Sequence, residues 1–215
     1  MSNLIKERPI LFSGAMVRAL LDGSKTQTRR IMKPQPEPTP PDYPGPAGHW
    51  WPSSAVQSMV HVEQELQNQH GSWGGFCADC CPHGRVGDRL WVRETFLAWR
   101  NTVDNSFSHV AAFKADRYEL EQGERWQPSI HMPRAASRIL LEIVSVRVER
   151  LQDISEADAD AEGVLEWARG ACAAGNPLGL TDVGYFSKLR EQTYGPGSWD
   201  ANPWVWVIEF KRVAP

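Results

Sequence analysis

The chain has no apolar run approaching the ~18–20 residues that a bilayer span requires, so no membrane segment is expected. Its first residues, Met1-Ser2-Asn3-Leu4-Ile5-Lys6-Glu7-Arg8, lack the long apolar core of a signal peptide. Cysteine is scarce. There are four, with three bunched at Cys77, Cys80 and Cys81, and this is no secreted disulfide framework. Together these absences predict a cytoplasmic protein. Neither sign of charge dominates: 23 Lys and Arg stand against 26 Asp and Glu, a net charge of −3. That balance argues against a general polyanion coat. It leaves room for a local basic site, because phosphate affinity follows clustered charge rather than total charge. A cofactor-binding loop and a strand–helix–strand rhythm are both missing, so no cofactor is expected.

What is present, in 215 residues, is enough for one domain with a real core. Residues 8–12 read as a short strand. Ser13 reads as the cap of a helix closed by Gly23, and residues 26–31 as a second strand. Between 33 and 85 the texture changes. Prolines at 34, 36, 38, 40, 41, 44 and 46 predict an irregular insertion, with a helical piece at 58–69. Strands follow at 90–96, 109–114, 138–151 and 204–210. The near-alternation of Ile139, Leu141, Ile143, Val146 and Val148 slips once, which predicts a bulge near Val144-Ser145. Ser155 opens a short helix over 156–162, and another spans 183–194. Several strands with interposed short helices predict an α+β fold built on a small barrel. Ten tryptophans, mostly in apolar alternating segments, are expected in the core.

The richest stretch is Gly23-Ser24-Lys25-Thr26-Gln27-Thr28-Arg29-Arg30. Amine, hydroxyl and guanidinium groups together suit an anionic ligand or an activated hydroxyl nucleophile. Strand periodicity sets a condition. On one straight strand Lys25 and Thr28 point to opposite faces. They meet only if Lys25 belongs to the turn after Gly23; otherwise Thr26, which shares a face with Thr28, is the rival nucleophile. Arg93 and Glu94 alternate on a strand, so one of them faces the interior or a cleft. His131 and Arg134 precede the central strand and are candidates to line that cleft. Cys77-x-x-Cys80-Cys81-x-His83 has metal-binding residue types, with His70 or Cys172 available to complete a site. Yet no second pair stands at finger spacing, and no metal is assigned.

Leu21-Asp22-Gly23-Ser24-Lys25-Thr26-Gln27-Thr28-Arg29-Arg30, Gly87-Asp88-Arg89-Leu90-Trp91-Val92-Arg93-Glu94 and Trp206-Val207-Ile208-Glu209-Phe210 together resemble the ASCH domain family. Ser129-Ile130-His131-Met132-Pro133-Arg134 and Arg150-Leu151-Gln152-Asp153-Ile154-Ser155 look like the longer phage and prophage members. The resemblance implies a PUA-like β-barrel spanning residues 1–215 as a single domain, with the insertion at about 33–85. It also implies a modified nucleoside or RNA as ligand. A small bacterial branch of the family removes the acetyl group of N4-acetylcytidine with a lysine, a threonine three residues on, and a glutamate. On this chain those positions fall on Lys25, Thr28 and Glu162, as base, nucleophile and acid. The resemblance thus implies an amide hydrolase, with Thr26, Arg29, Arg93, Glu94, His131 and Arg134 as substrate-binding candidates. A non-catalytic RNA-binding module and a ribonuclease using the same cleft are the alternatives.

Overall fold

The computed structural model describes residues 4–42, 44, 47–53, 58–63, 80–104, 106–173 and 180–214. Its centre is a five-stranded mixed sheet in the order β1-β6-β9-β10-β2. In chain order, β1 is Glu7–Leu11, β2 Gln27–Ile31, β3 Glu37–Pro38, β4 His49–Ser53, β5 Ser58–His61, β6 Arg89–Arg93, β7 Phe96–Arg100, β8 Phe107–Phe113, β9 Leu140–Arg150 and β10 Trp204–Val213. The helices are α1 (Gly14–Asp22), α2 (Glu156–Ala161), α3 (Val164–Ala173) and α4 (Asp182–Tyr194). β1 lies parallel to β6, while β6, β9, β10 and β2 pair antiparallel.

β10 is the spine. Trp204, Trp206, Ile208 and Phe210 enter the main core with Leu141, Ile143, Val146 and Val148 of β9. Val205 and Val207 enter a second core with Leu151, Ile154, Ala159, Val164 and Phe186. The period-two alternation of a strand therefore packs one face of β10 on the sheet core and the other on the helices. Along β9, Ile143 pairs with Phe210 and Ser145 with Glu209, so Val144 is the extra residue of the expected bulge and stands exposed. The bulge moves the buried positions from 141 and 143 to 146 and 148, keeping both halves of a long strand on one core.

The α+β class is present, but the described residues form no closed barrel: β1 and β2 remain the two edges of the sheet. One side chain crosses between them, with Arg30 Nη2 donating to Leu11 O at 2.9 Å.

The insertion differs from expectation. Despite its prolines, β3, β4 and β5 form a small antiparallel sheet, and residues 58–61 are strand, not helix. Proline is tolerated because these strands are short. Pro52 pairs with Met59 of β5, while β3 reaches only Trp50 and His49, so the missing N–H costs no ladder bond. Trp51 packs edge-on against Trp206 at 5.3 Å, which ties this sheet into the main core. The remainder of the expected helix, from 64 on, lies outside the described residues. α3 was not expected from the sequence. Among the described residues, no helix is long and apolar enough to cross a membrane.

Candidate functional site

The site begins where α1 ends. Ser13 caps α1, its hydroxyl accepting from the Met16 N–H, and Gly23 terminates it in the left-handed region at φ 86°. The chain then turns tightly. Lys25 N–H donates to Ala19 O and Thr26 N–H to Ala161 O, both at 2.9 Å, and the strand begins only at Gln27. Lys25 therefore stands outside the alternation of β2, but its amine turns to Gln27 O and Glu162 rather than to Thr28. Thr26 is exposed and does not line the cavity described below.

α2 supplies the partner. Ser155 and Asp158 form a reciprocal capping box at its start, and Glu162 is its C-terminal cap. Gly163 follows at φ 76°. A Cβ there would lie 2.6 Å from Ala19 Cβ and 3.0 Å from Lys25 Cβ, so glycine is what lets α1, Lys25 and α2 approach. The Lys25 amine donates to Gln27 O at 2.8 Å, Glu162 O at 2.7 Å and Glu162 Oε2 at 2.9 Å. Arg29 Nη1 stands 3.4 Å from Glu162 Oε1, and the same guanidinium binds Glu149 and Asp158. Gln27 Nε2 reaches Asp158 on the same side of β2. The three groups Lys25, Arg29 and Glu162 are thus one buried network, with both cations fully enclosed. Burial pushes the Lys25 ammonium below its ordinary value, the Arg30 and Arg29 charges add to this, and Glu162 opposes it.

Thr28 faces the other side of β2 and lines a cavity of about 390 Å³ together with Phe12, Arg30, Glu162, Arg190 and Tyr194. Among the described residues its hydroxyl makes no hydrogen bond, to Lys25 or to any other group. Lys25 Nζ lies behind the cavity wall, 5.3 Å from the centre of the Phe12 ring.

Five of the predicted positions lie elsewhere. Besides Thr26, Arg93 stacks on Trp91 and donates to Met132 O, half-buried against the loop before β9. Glu94 is buried and held by two hydrogen bonds from Arg138. Burial raises its carboxyl above the ordinary value and Arg138 opposes the rise. His131 is exposed, and Arg134 pairs with Glu7 on the surface. None of the five lines the cavity. Their neighbours reach it instead: Thr95, just past β6, and Ser129 and Ile130, in the loop before β9, line the cavity while Arg93 turns to Met132 O and Glu94 to Arg138.

Two site residues were not anticipated. Glu149 of β9 braces Arg29 from below. Arg190 of α4 lines the cavity and is almost fully buried. The sequence carried a signal for it. Phe186, Leu189 and Arg190 share the buried i, i+3, i+4 stripe of α4, which puts a cation where an apolar residue is normal.

A larger cavity, about 780 Å³, lies beside the insertion and contains none of the predicted site residues. Its wall includes Cys80 and Cys81, which are buried free thiols; Cys77 and His70 lie outside the described residues, as does the side chain of Cys172. Burial takes the Cys81 thiol up to about 12 and His83 down to about 4. Among the described residues no three metal-binding side chains converge. No family model, curated protein or solved structure matches this chain.

Proposed function

We infer that the cavity beside β2 hydrolyses the amide of an N4-acylated cytosine-type base, in a nucleoside or a nucleic acid, within a cytoplasmic protein. The observation that carries this reading is the convergence of three groups. Among the described residues the Thr28 hydroxyl is free of hydrogen bonds and shares the cavity wall with Glu162, while Lys25, its basicity lowered by burial, binds the Glu162 carboxylate from behind that wall. Moving one proton from Lys25 Nζ to Glu162 Oε2, across 2.9 Å, turns the ion pair into a neutral amine and a carboxylic acid. Those are the base and the acid that amide hydrolysis needs. Thr28 Oγ1 attacks the acyl carbon and its proton passes to Lys25. The tetrahedral adduct collapses, Glu162 protonates the departing exocyclic nitrogen, and the acyl group remains on Thr28. The Lys25 ammonium then returns a proton to Glu162, which restores the neutral amine and the acid across the same 2.9 Å. Lys25 takes a proton from water, the hydroxide attacks the acyl carbon, and that proton passes to Thr28 Oγ1 as the carboxylic acid leaves and ionises in solvent. The neutral Lys25 keeps two donors for Gln27 O and Glu162 O, which hold its lone pair in place.

The resemblance to ASCH domains supports the same reading. A second reading, a nucleotide- or RNA-binding module without catalysis, is favoured by one observation. All three protons of the Lys25 ammonium already have acceptors, and none contacts Thr28.

Acetate release from N4-acetylcytidine, its 5′-monophosphate and acetylated RNA separates the two. The hydrolase reading expects turnover that falls ~10²–10⁴-fold in Thr28→Val and Lys25→Met. Binding of these ligands without release of acetate from any of them would leave the binding module standing and the hydrolase reading refuted.

A further inference from the structure

Arg190 is the least compensated charge in the described structure. Its residue is 4% exposed, and Nε and Nη2 are buried without a hydrogen-bond partner. The Tyr194 ring lies 4.2 Å from its guanidinium carbon. Across the same cavity, Arg30 is spent on Leu11 O and the Phe12 ring, and its Nε is also buried and unpartnered. Among the described residues neither arginine has a carboxylate within ion-pair reach. Glu162, the carboxylate that shares their cavity, is already divided between Lys25 and Arg29.

Burying a guanidinium without a counter-charge is costly, and arginine does not escape by losing its proton. Here burial pushes the group down from its ordinary value, with the Arg30 charge adding to the strain and Tyr194 and Glu162 relieving part of it. A fold keeps such a side chain when something else supplies the missing charge. The first turn of α1 also lines this cavity at Ser13 and Met16, so the positive end of a nine-residue helix faces the same space.

We propose that Arg190 and Arg30 form an oxyanion subsite that takes the phosphate of a nucleotide-type ligand, so that the substrate is phosphorylated and not a free nucleoside. Two guanidinium forks approaching one cavity from α4 and β2 match the tetrahedral oxygens of a phosphate better than a single planar carboxylate. At about 390 Å³ the cavity is near the lower end of the ~300–1,000 Å³ range of small-ligand sites, which suits one nucleotide unit. The assignment of a base in the remainder of the cavity rests on the hydrolase reading above; the phosphate subsite does not.

The test is calorimetric titration and thermal unfolding of the whole chain with inorganic phosphate, acetate, cytidine and cytidine 5′-monophosphate. Phosphate and the monophosphate should bind and raise the melting temperature. The monophosphate should bind at least tenfold tighter than cytidine, and phosphate more tightly than acetate. Arg190→Met should abolish phosphate binding yet raise the melting temperature of the unliganded protein, because it removes a buried unpaired charge. A purely structural arginine would do the opposite and lower it. Arg190→Gln should weaken phosphate at least tenfold, while Arg117→Gln, an exposed arginine outside the cavity, should leave it unchanged. Failure of wild type to bind phosphate, equal binding of phosphate and acetate, or unaltered phosphate binding by Arg190→Gln would each overturn the subsite. Phosphate binding with no deacylation sinks the hydrolase reading alone. Deacylation of nucleoside and nucleotide with equal kcat/KM, without phosphate binding, sinks the subsite alone.

Discussion

Replacing Lys25 by methionine probes the network on which the site depends. The Lys25 side chain has no exposed surface and that of Glu162 has 4%. Methionine keeps the stem but deletes three hydrogen bonds and one of the two cations on Glu162. Stranding one member of a buried pair costs about 3–5 kcal/mol. Arg29 remains 3.4 Å from Glu162 Oε1, so the lower end applies, about 3 kcal/mol, or roughly a hundredfold in the folding equilibrium. Glu162→Leu strands the ammonium instead and should cost about as much. The double variant removes both charges and leaves Arg29 its Glu149 and Asp158 partners, so it should be no worse than either single change. The coupling is then about 3 kcal/mol. Urea unfolding followed by tryptophan fluorescence measures all four proteins. Costs that add to within about 0.5 kcal/mol would refute the buried pair. The pH dependence carries a second signature. Burial holds Lys25 below its ordinary 10.5 in the folded protein, so between those two values the unfolded chain binds the extra proton. Wild-type stability should rise with pH through that window, reach its full value above 10.5, and be lost as pH falls through the folded value. Lys25→Met should lack this component.

Gly163→Ala should lower stability by about 1–3 kcal/mol and reduce deacylation further than stability explains, because the new methyl presses on Ala19 and the Lys25 stem; a melting curve beside acetate release checks both. Arg138→Met leaves Glu94 buried without its partner and should cost about 3 kcal/mol at neutral pH. Since burial raises Glu94 above its ordinary 4.5, the stability its neutral form contributes is present below 4.5 and lost as pH rises through the folded value. The deficit of Arg138→Met should therefore shrink in acid, which denaturation at several pH values would reveal. With its thiol raised to about 12, Cys81 should resist iodoacetamide at pH 8 in the native protein and react on unfolding, as peptide mass mapping would detect.

Much of this molecule is legible from local pattern. Ser13 and Gly23 delimit α1, the Ser155–Asp158 box starts α2, and the slip between Ile143 and Val146 marks the Val144 bulge. Each is a contact between residues near in the chain, or a single periodicity, so the amino-acid order alone carries it. The β3–β5 sheet was hidden because proline count says nothing about which side of a strand will lack a neighbour, and Pro52 sits where only one strand pairs. Helix α3 starts directly after Gly163, whose left-handed backbone separates it from α2, and no capping residue marks that start in the sequence.

For the site, the sequence by itself determined the residue types and one geometric condition, that Lys25 leave the strand before Thr28. Tertiary structure decided the rest. Lys25 meets Glu162 across 137 positions and Arg29 meets Glu149 across 120, contacts that no local periodicity encodes. The same holds for exclusion: Arg93 and Glu94 have the right chemistry, but Met132 O and Arg138 take them, and Thr95, Ser129 and Ile130 line the cavity instead. Whether a charged side chain is a surface residue or part of a site depends on what surrounds it. In α4 that is why Arg190, one cation among 23 Lys and Arg in the chain, becomes distinctive only once the helix is seated over the cavity.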